Sequence, residues 1–293
     1  MSCAISRLAI VGVGMIGGSL ALGLKQAGAV GMVVGVDRSL ENLQQAQTLG
    51  IVDVIADNIE HAVTGADIVL LAVPVGQMAA VMEDIAPYLK PDTIVTDAGS
   101  TKQDVVGLMQ QHLAGNLANC VPAHPIAGAE LSGAGAARAD LYRNKKLVIT
   151  PLAATAAVAV DRIAAMWQCC GAQTSVMSAG EHDAIFAAVS HLPHLLAYSL
   201  VDMIAQRDNA AQLFSFAAGG FRDFTRIAGS SPEMWRDIAI ANRSAILDEL
   251  QTFQQQLEYL RAALFDQDTV TLMELFSRAQ QSRLDWLMQH PQD

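Results

Sequence analysis

Lysine is missing from the second half of this 293-residue chain: none follows Lys146. Any fixed cation in that half must be an arginine, so an anionic ligand held there would meet a guanidinium fork rather than an ammonium. Basic charge is short throughout. Eighteen Lys and Arg stand against 29 Asp and Glu, a formal net charge of -11, which disfavours a nucleic-acid partner but still permits a local basic pocket. Cysteine is also scarce. Cys3, Cys120, Cys169 and Cys170 lack metal-ligand spacing, so no metal site is expected and the thiols read as buried or idle in a reducing compartment. No stretch reads as an uninterrupted apolar membrane span, and Met1 to Arg7 is not a basic start leading into a long apolar region. A soluble, cytoplasmic protein with no membrane partner is expected.

What the chain does have is 52% hydrophobic residues, enough for a large core and two domains. The first part alternates short apolar runs with helical patterns. Candidate strands are Leu8–Val11, Val33–Val36, Ile68–Ala72, Thr93–Asp97, Cys120–Ala123 and Leu147–Thr150, with room between them for crossover helices. A helix over Ala154 to Cys170 and a strand near Thr174–Met177 follow. This pattern predicts an α/β fold built on a doubly wound, Rossmann-like, mostly parallel sheet. From Glu181 onward the pattern is helical, broken near Gly219-Gly220 and Gly229-Ser230-Ser231-Pro232. The predicted domains are therefore a dinucleotide-binding domain over 1–179 and an all-helical substrate and dimerisation domain over 180–293. The helical part carries more apolar surface than one compact bundle needs, so a homodimer through it is expected.

The strongest local signal is Gly12-x-Gly14-x-x-Gly17 at the end of the first strand, with Asp37 closing the second. Such a turn lays a pyrophosphate against a helix N-terminus, and an acidic residue about twenty positions later accepts the ribose hydroxyls. A glycine turn alone is weak, since close helix–strand packing also selects one; here strand, helix and acid fall in order. The cofactor-contacting candidates are Gly12, Gly14, Met15, Ile16, Gly17, Asp37, Arg38, Val73, Pro74 and Ser100. Asp37 favours NAD because a carboxylate repels a 2′-phosphate. Arg38 beside it can pair with that phosphate, so NADP stays open.

Ligands of an open α/β sheet meet the carboxyl ends of its strands. His124 follows the strand Cys120–Ala123 and is the candidate base, the alternative being a structural loop histidine. Ser100 follows another strand and can bond the nicotinamide amide or His124, or cap a helix, as can Thr101. Ser190 and His194 are four apart and share a helical face, with His191 within a turn of His194. A two-histidine metal site lacks its remaining ligands there. A polar face over the cofactor crevice is the expected role, against solvated histidines near a proline-shaped helix start. Asp223 and Arg226, three apart, can pair to hold a guanidinium for a planar carboxylate, or form an ordinary surface ion pair. The missing lysine also argues against β-hydroxyacid dehydrogenases of similar layout. By themselves these residues support a nicotinamide dehydrogenase acting on a small carboxylate. A non-catalytic dinucleotide sensor is the rival, with no evident use for His124, Ser100 and Arg226 together.

In order, Gly12-x-Gly14-x-x-Gly17, Asp97-x-Gly99-Ser100-x-Lys102, His124-Pro125-Ile126-Ala127-Gly128-x-Glu130, Ser190-His191-Leu192-Pro193-His194 and Asp223-Phe224-Thr225-Arg226-Ile227-Ala228 resemble the prephenate/arogenate dehydrogenase family. The resemblance runs from about Leu8 to Asn242. It implies an oxidative decarboxylation in tyrosine biosynthesis: hydride leaves C4 of a cyclohexadienol, carbon dioxide leaves C1, and the ring becomes aromatic. It also implies His124 as the catalytic histidine, Ser100 as its support, and Arg226 on the ring carboxylate with Asp223 and Trp235 around it. Ser190 and His194 would line the substrate side-chain pocket. Glu130 is a candidate partner for the ammonium group of arogenate. The chain ends soon after the helical domain, so no regulatory or mutase segment is expected, and inhibition by tyrosine would have to act at the active site.

Overall fold

A computed structural model describes residues 5–128 and 133–289. They divide into two compact units, over 1–245 and 246–293.

In the first unit β1 (Ile5–Val11), β2 (Val30–Val36), β3 (Val54–Ile55), β4 (Ile68–Leu71), β5 (Ile94–Asp97) and β6 (Cys120–Val121) form one sheet in the order β3-β2-β1-β4-β5-β6. Every pairing in it is parallel. The strand order reverses between β1 and β4, which opens the crevice where doubly wound sheets take ligands. Side chains alternate between two buried faces. Leu8 and Ile10 face Leu20, Leu24 and Trp167, while Ala9 and Val11 face Met78, Met82, Val105 and Met109. This is the two-residue period of strands covered by helices on both sides. Each fully buried Leu or Ile there contributes about 1.5–3 kcal/mol of transfer free energy.

The expected strand Cys120–Ala123 is in fact two. Pro122 has no amide to continue a ladder, so β6 ends at Val121 and β7 (Ala123–Pro125) leaves for a second sheet. There β7 runs antiparallel to β8 (Lys146–Ile149), and β8 runs parallel to β9 (Gln173–Val176). The last strands expected from the sequence therefore do not extend the main sheet. His124 lies inside β7, paired in register with Val148, rather than just beyond a strand.

Ala179 to Ala205 is one helical run of 27 residues. Its Ser178 cap accepts the Glu181 amide. The run contains a wide π turn over Ala187–His191, followed at once by Pro193. Proline offers no amide to the preceding turn, and a locally widened helix accommodates the lost bond. By length and composition alone this run, at a mean hydropathy of 1.5, is long and apolar enough to cross a membrane, although charged and histidine side chains interrupt it. Alanines and leucines between the polar residues raise the average. His182, Asp183 and His191 on it are nevertheless buried and hydrogen-bonded within the protein. Gly219-Gly220 opens the helix Gly219–Thr225 rather than breaking one, and Ser231 caps the helix Pro232–Ala241 by accepting the Met234 amide.

The second unit contains most of the helix Arg243–Phe265 and the helix Thr269–Gln289. Phe265, Val270, Met273, Phe276, Trp286 and Met288 on them are at least half exposed.

Candidate active site

Gly12 adopts a φ of 89°, and a Cβ there would meet the Ala72 carbonyl oxygen at 2.6 Å. A Cβ on Gly17 would meet Ile10 at 2.8 Å and the Gly12 oxygen at 2.9 Å. Both glycines are thus demanded by the fold itself. Gly14 differs: its φ is -91°, and a Cβ would find no atom within 4 Å. The chain does not need a glycine there, whereas a ligand approaching the backbone at the start of the helix Met15–Gln26 would. Gly14 lines a cavity of 710 Å³ with Gly12, Asp37, Arg38, Val73 and Pro74. The Asp37 carboxylate accepts the Val13 amide at 2.9 Å and the Ser39 amide at 3.0 Å. Arg38 is exposed at the cavity rim. A glycine turn at a helix start and a carboxylate after the second strand, both lining this cavity, are the groups a dinucleotide requires. Met15 and Ile16 begin the helix beside it but are not among its lining residues.

At the end of β5, Asp97 forms an ion pair with Lys102 that is buried from solvent on both sides. Asp97 also accepts the amides of Gly99 at 2.7 Å and Ala123 at 3.0 Å. This network ties the Ser100 loop to the start of β7 and so fixes where His124 stands. Neither Ser100 nor Thr101 caps the helix Gln103–His112. The amides of Lys102 and Gln103 instead donate to the two carboxylate oxygens of Asp183, both at 2.8 Å, from eighty residues away. Ser100 is half-buried beside this turn.

His124 is half-buried, and its Nδ1 lies 2.8 Å from Nε2 of His182 rather than on Ser100. Nδ1 of His182 lies 2.7 Å from Oδ1 of Asp183. Phe186 packs on both rings, with centroids at 5.0 and 4.5 Å. Desolvation, then the Lys102 cation, then the neighbouring histidines push the His124 pKa well below its ordinary value, so the ring is neutral at pH 7. Burial alone would raise the Asp183 carboxyl. Hydrogen bonds from His182 and the two amides outweigh it and hold the group ionised, below its usual range.

Asn242 connects this cluster to His191. Its Nδ2 donates to the Asp183 carbonyl at 2.8 Å and lies 3.0 Å from Nδ1 of His191. His191 is buried, and desolvation brings its pKa down to about 4. It meets Trp235 edge-on at 6.0 Å, while His194 stacks on the same indole at 3.7 Å. His194 Nδ1 bonds the Ser190 carbonyl at 2.8 Å. Burial and then the Arg226 cation, partly offset by that bond, lower the His194 pKa, so Arg226 stands within electrostatic reach of the stack. The indole nitrogen of Trp235 is buried with no hydrogen-bond partner among the described residues.

The structure thus brings His124, His182 and Asp183 together and links them through Asn242 to His191, Trp235 and His194. Asp223 is exposed, and the regular helix whose spacing would set it against Arg226 stops at Thr225, where Arg226 opens a tighter turn. Glu130 lies outside the described residues. Sequence reasoning missed His182, Asp183 and Asn242. The adjacent His-Asp pair just after a helix start was the one available signal, and it reads equally well as first-turn capping charge.

Fold and site define an NAD(P)-dependent dehydrogenase with a Rossmann-like nucleotide domain. Residues 20–176 match the prephenate dehydrogenase nucleotide-binding domain and residues 178–278 the prephenate dehydrogenase dimerization domain. The chain is 39% identical over 280 residues to a cyclohexadienyl dehydrogenase of Zymomonas mobilis, covering 95% of each. It is 37% identical to a prephenate dehydrogenase of Bacillus subtilis, covering 94% of this chain and 74% of that one. A crystal structure of prephenate dehydrogenase from A. aeolicus, in complex with hydroxyphenyl propionate and NAD+, superposes with a TM-score of 0.91 at 34% identity, covering 97% of this chain and 99% of that one. The chain belongs to the prephenate dehydrogenase family, whose reaction is the oxidative decarboxylation of prephenate or arogenate.

Proposed function

We propose that His124 is the base of this reaction, taking the proton of the substrate 4-hydroxyl as hydride leaves C4. A half-buried imidazole on β7, held 2.8 Å from His182 and kept neutral by desolvation, carries the reading, because only the unprotonated ring can accept that proton. The dinucleotide bound at the glycine turn supplies the hydride acceptor. Ser100 orients the nicotinamide amide and Arg226 binds the ring carboxylate. Ser190, His194 and Trp235 receive the substrate side chain, and Asp223 acts from the rim. Loss of carbon dioxide from C1 aromatises the ring and makes the step irreversible.

NAD is the favoured cofactor, since Asp37 presents an anionic carboxylate where a 2′-phosphate would sit. Prephenate and arogenate differ only in a keto-acid or amino-acid side chain, and Glu130 would favour arogenate by pairing with its ammonium group. We place the functional boundary near residue 180. The helical part would serve as substrate and dimerisation domain, and the exposed apolar side chains at its end support a homodimer. A cytoplasmic site of action suits a biosynthetic dehydrogenase.

Absorbance at 340 nm on mixing protein, NAD or NADP, and prephenate or arogenate tests this reading. Reduced nicotinamide should form with at least one substrate, faster with NAD. No signal with any of the four combinations would reject it.

A further inference from the structure

One ring-to-ring contact and one carboxylate fix where the protons of this site reside. The Asp183 carboxylate is ionised and already accepts two backbone amides, so it acts only as an acceptor. The proton in its 2.7 Å contact therefore belongs to Nδ1 of His182. In a neutral His182 the lone pair is then on Nε2, which must accept across the 2.8 Å contact to His124. The donor there is His124 Nδ1, and the free lone pair of His124 is left on Nε2. Phe186 packs on both rings, and Asn242 anchors the Asp183 carbonyl, so neither imidazole can turn freely.

We propose that His182 and Asp183 are positioning residues that lock His124 in its Nδ1–H form, making Nε2 the basic nitrogen, and that they share the charge when His124 accepts a proton. The inference rests on the reading of His124 as base. As hydride leaves, the substrate O–H bond breaks and its proton bonds to His124 Nε2. The Nδ1 proton of His124 leans toward or passes to His182 Nε2, while the His182 Nδ1 proton stays on its nitrogen facing Asp183. One proton enters the imidazole pair, and its positive charge is balanced by one ionised carboxylate that does not itself become protonated. This is the orienting logic of a carboxylate–histidine pair extended by one ring. Asp183 also caps the helix Gln103–His112, so its replacement would confound positioning with folding. His182 is the cleaner position.

The test compares the parent full-length protein, His182→Leu and His182→Gln, each with ¹⁵N-labelled histidine and saturated with NAD. The His124 tautomer is read by NMR, and kcat and KM are measured with whichever substrate the parent turns over. Expected are an Nδ1–H His124 in the parent and an Nε2–H form in the Leu variant. The Leu variant should lose kcat by on the order of tenfold to a hundredfold, with KM for NAD kept within about twofold. Gln presents Oε1 where Nε2 stood, so it should restore the Nδ1–H signal and much of kcat. An Nε2–H His124 in the parent overturns the proposal, as does a Leu variant that keeps either its tautomer or its turnover. Should the Leu variant fail to fold, the parent spectrum and the Gln variant still decide. A parent that oxidises neither prephenate nor arogenate would sink the functional reading while leaving the tautomer result standing.

Discussion

His194 lies flat on Trp235, ring centroids 3.7 Å apart at an interplanar angle of 20°. The stack joins the helical run that carries Ser190 to the helix that carries Trp235. Burial and the nearby Arg226 keep His194 neutral at pH 7 by lowering its pKa. A neutral imidazole quenches an indole weakly, and an imidazolium quenches it strongly. Tryptophan fluorescence should therefore fall as the pH drops through a midpoint below 6.5, the ordinary histidine value. Trp235→Phe should abolish the part of that transition that arises at the stack. A midpoint above 6.5 would mean that neither burial nor the Arg226 cation governs this ring.

Removing the base should separate chemistry from binding. His124→Asn should lower kcat by the order of a hundredfold or more while KM changes little. In the parent, the acid limb of the kcat profile should lie below pH 6.5, because desolvation and Lys102 disfavour the protonated ring. Near-normal turnover in the variant would reject the assignment.

Arg226→Ala should act in the opposite sense, raising KM for the carboxylate substrate by about tenfold or more with KM for NAD unchanged. An unaltered substrate KM would show that the ring carboxylate is met elsewhere.

Much of this site was legible because it is local. Gly12, Gly14, Gly17 and Asp37 belong to one strand–turn–helix unit whose spacing encodes its geometry. Ser190 and His194 were linked by helical period, although Pro193 widens the turn between them. What escaped is long-range. Asp183 reaches across eighty residues to cap the helix Gln103–His112, and no spacing rule connects a carboxylate to amides that distant. The division of the sheet was also hidden, since it turns on Pro122 ending a ladder inside a run that looks continuously apolar. Sequence spacing likewise presumed a regular helix through Asp223 and Arg226, whereas the helix stops between them.

The buried histidines should make stability acid-sensitive. His191 titrates near 6.5 when unfolded but only at about 4 when folded, so the unfolded chain binds the additional proton first. A group depressed in this way contributes stability above its unfolded pKa, and that stability drains away as pH falls from 6.5 toward 4. His124, also depressed, acts in the same direction. The thermal midpoint should therefore decline across that window and decline less steeply in His191→Asn. A midpoint that is flat between those limits would show that these rings are not buried neutral.

The glycine turn offers a test in which fold and function respond to different positions. At Gly12, φ is 89° and a Cβ would meet the Ala72 oxygen at 2.6 Å, so Gly12→Ala should destabilise the protein by about 1–3 kcal/mol. At Gly14, φ is negative and a Cβ meets nothing within 4 Å, so Gly14→Ala should leave the melting temperature almost unchanged. The added methyl would nevertheless occupy the space through which a pyrophosphate approaches the backbone amides of the helix Met15–Gln26. NAD affinity, measured by calorimetry, should fall by roughly tenfold or more in Gly14→Ala, because each misplaced phosphate contact forfeits a charge-assisted hydrogen bond. Equal NAD affinity in parent and Gly14→Ala would place the pyrophosphate away from this turn.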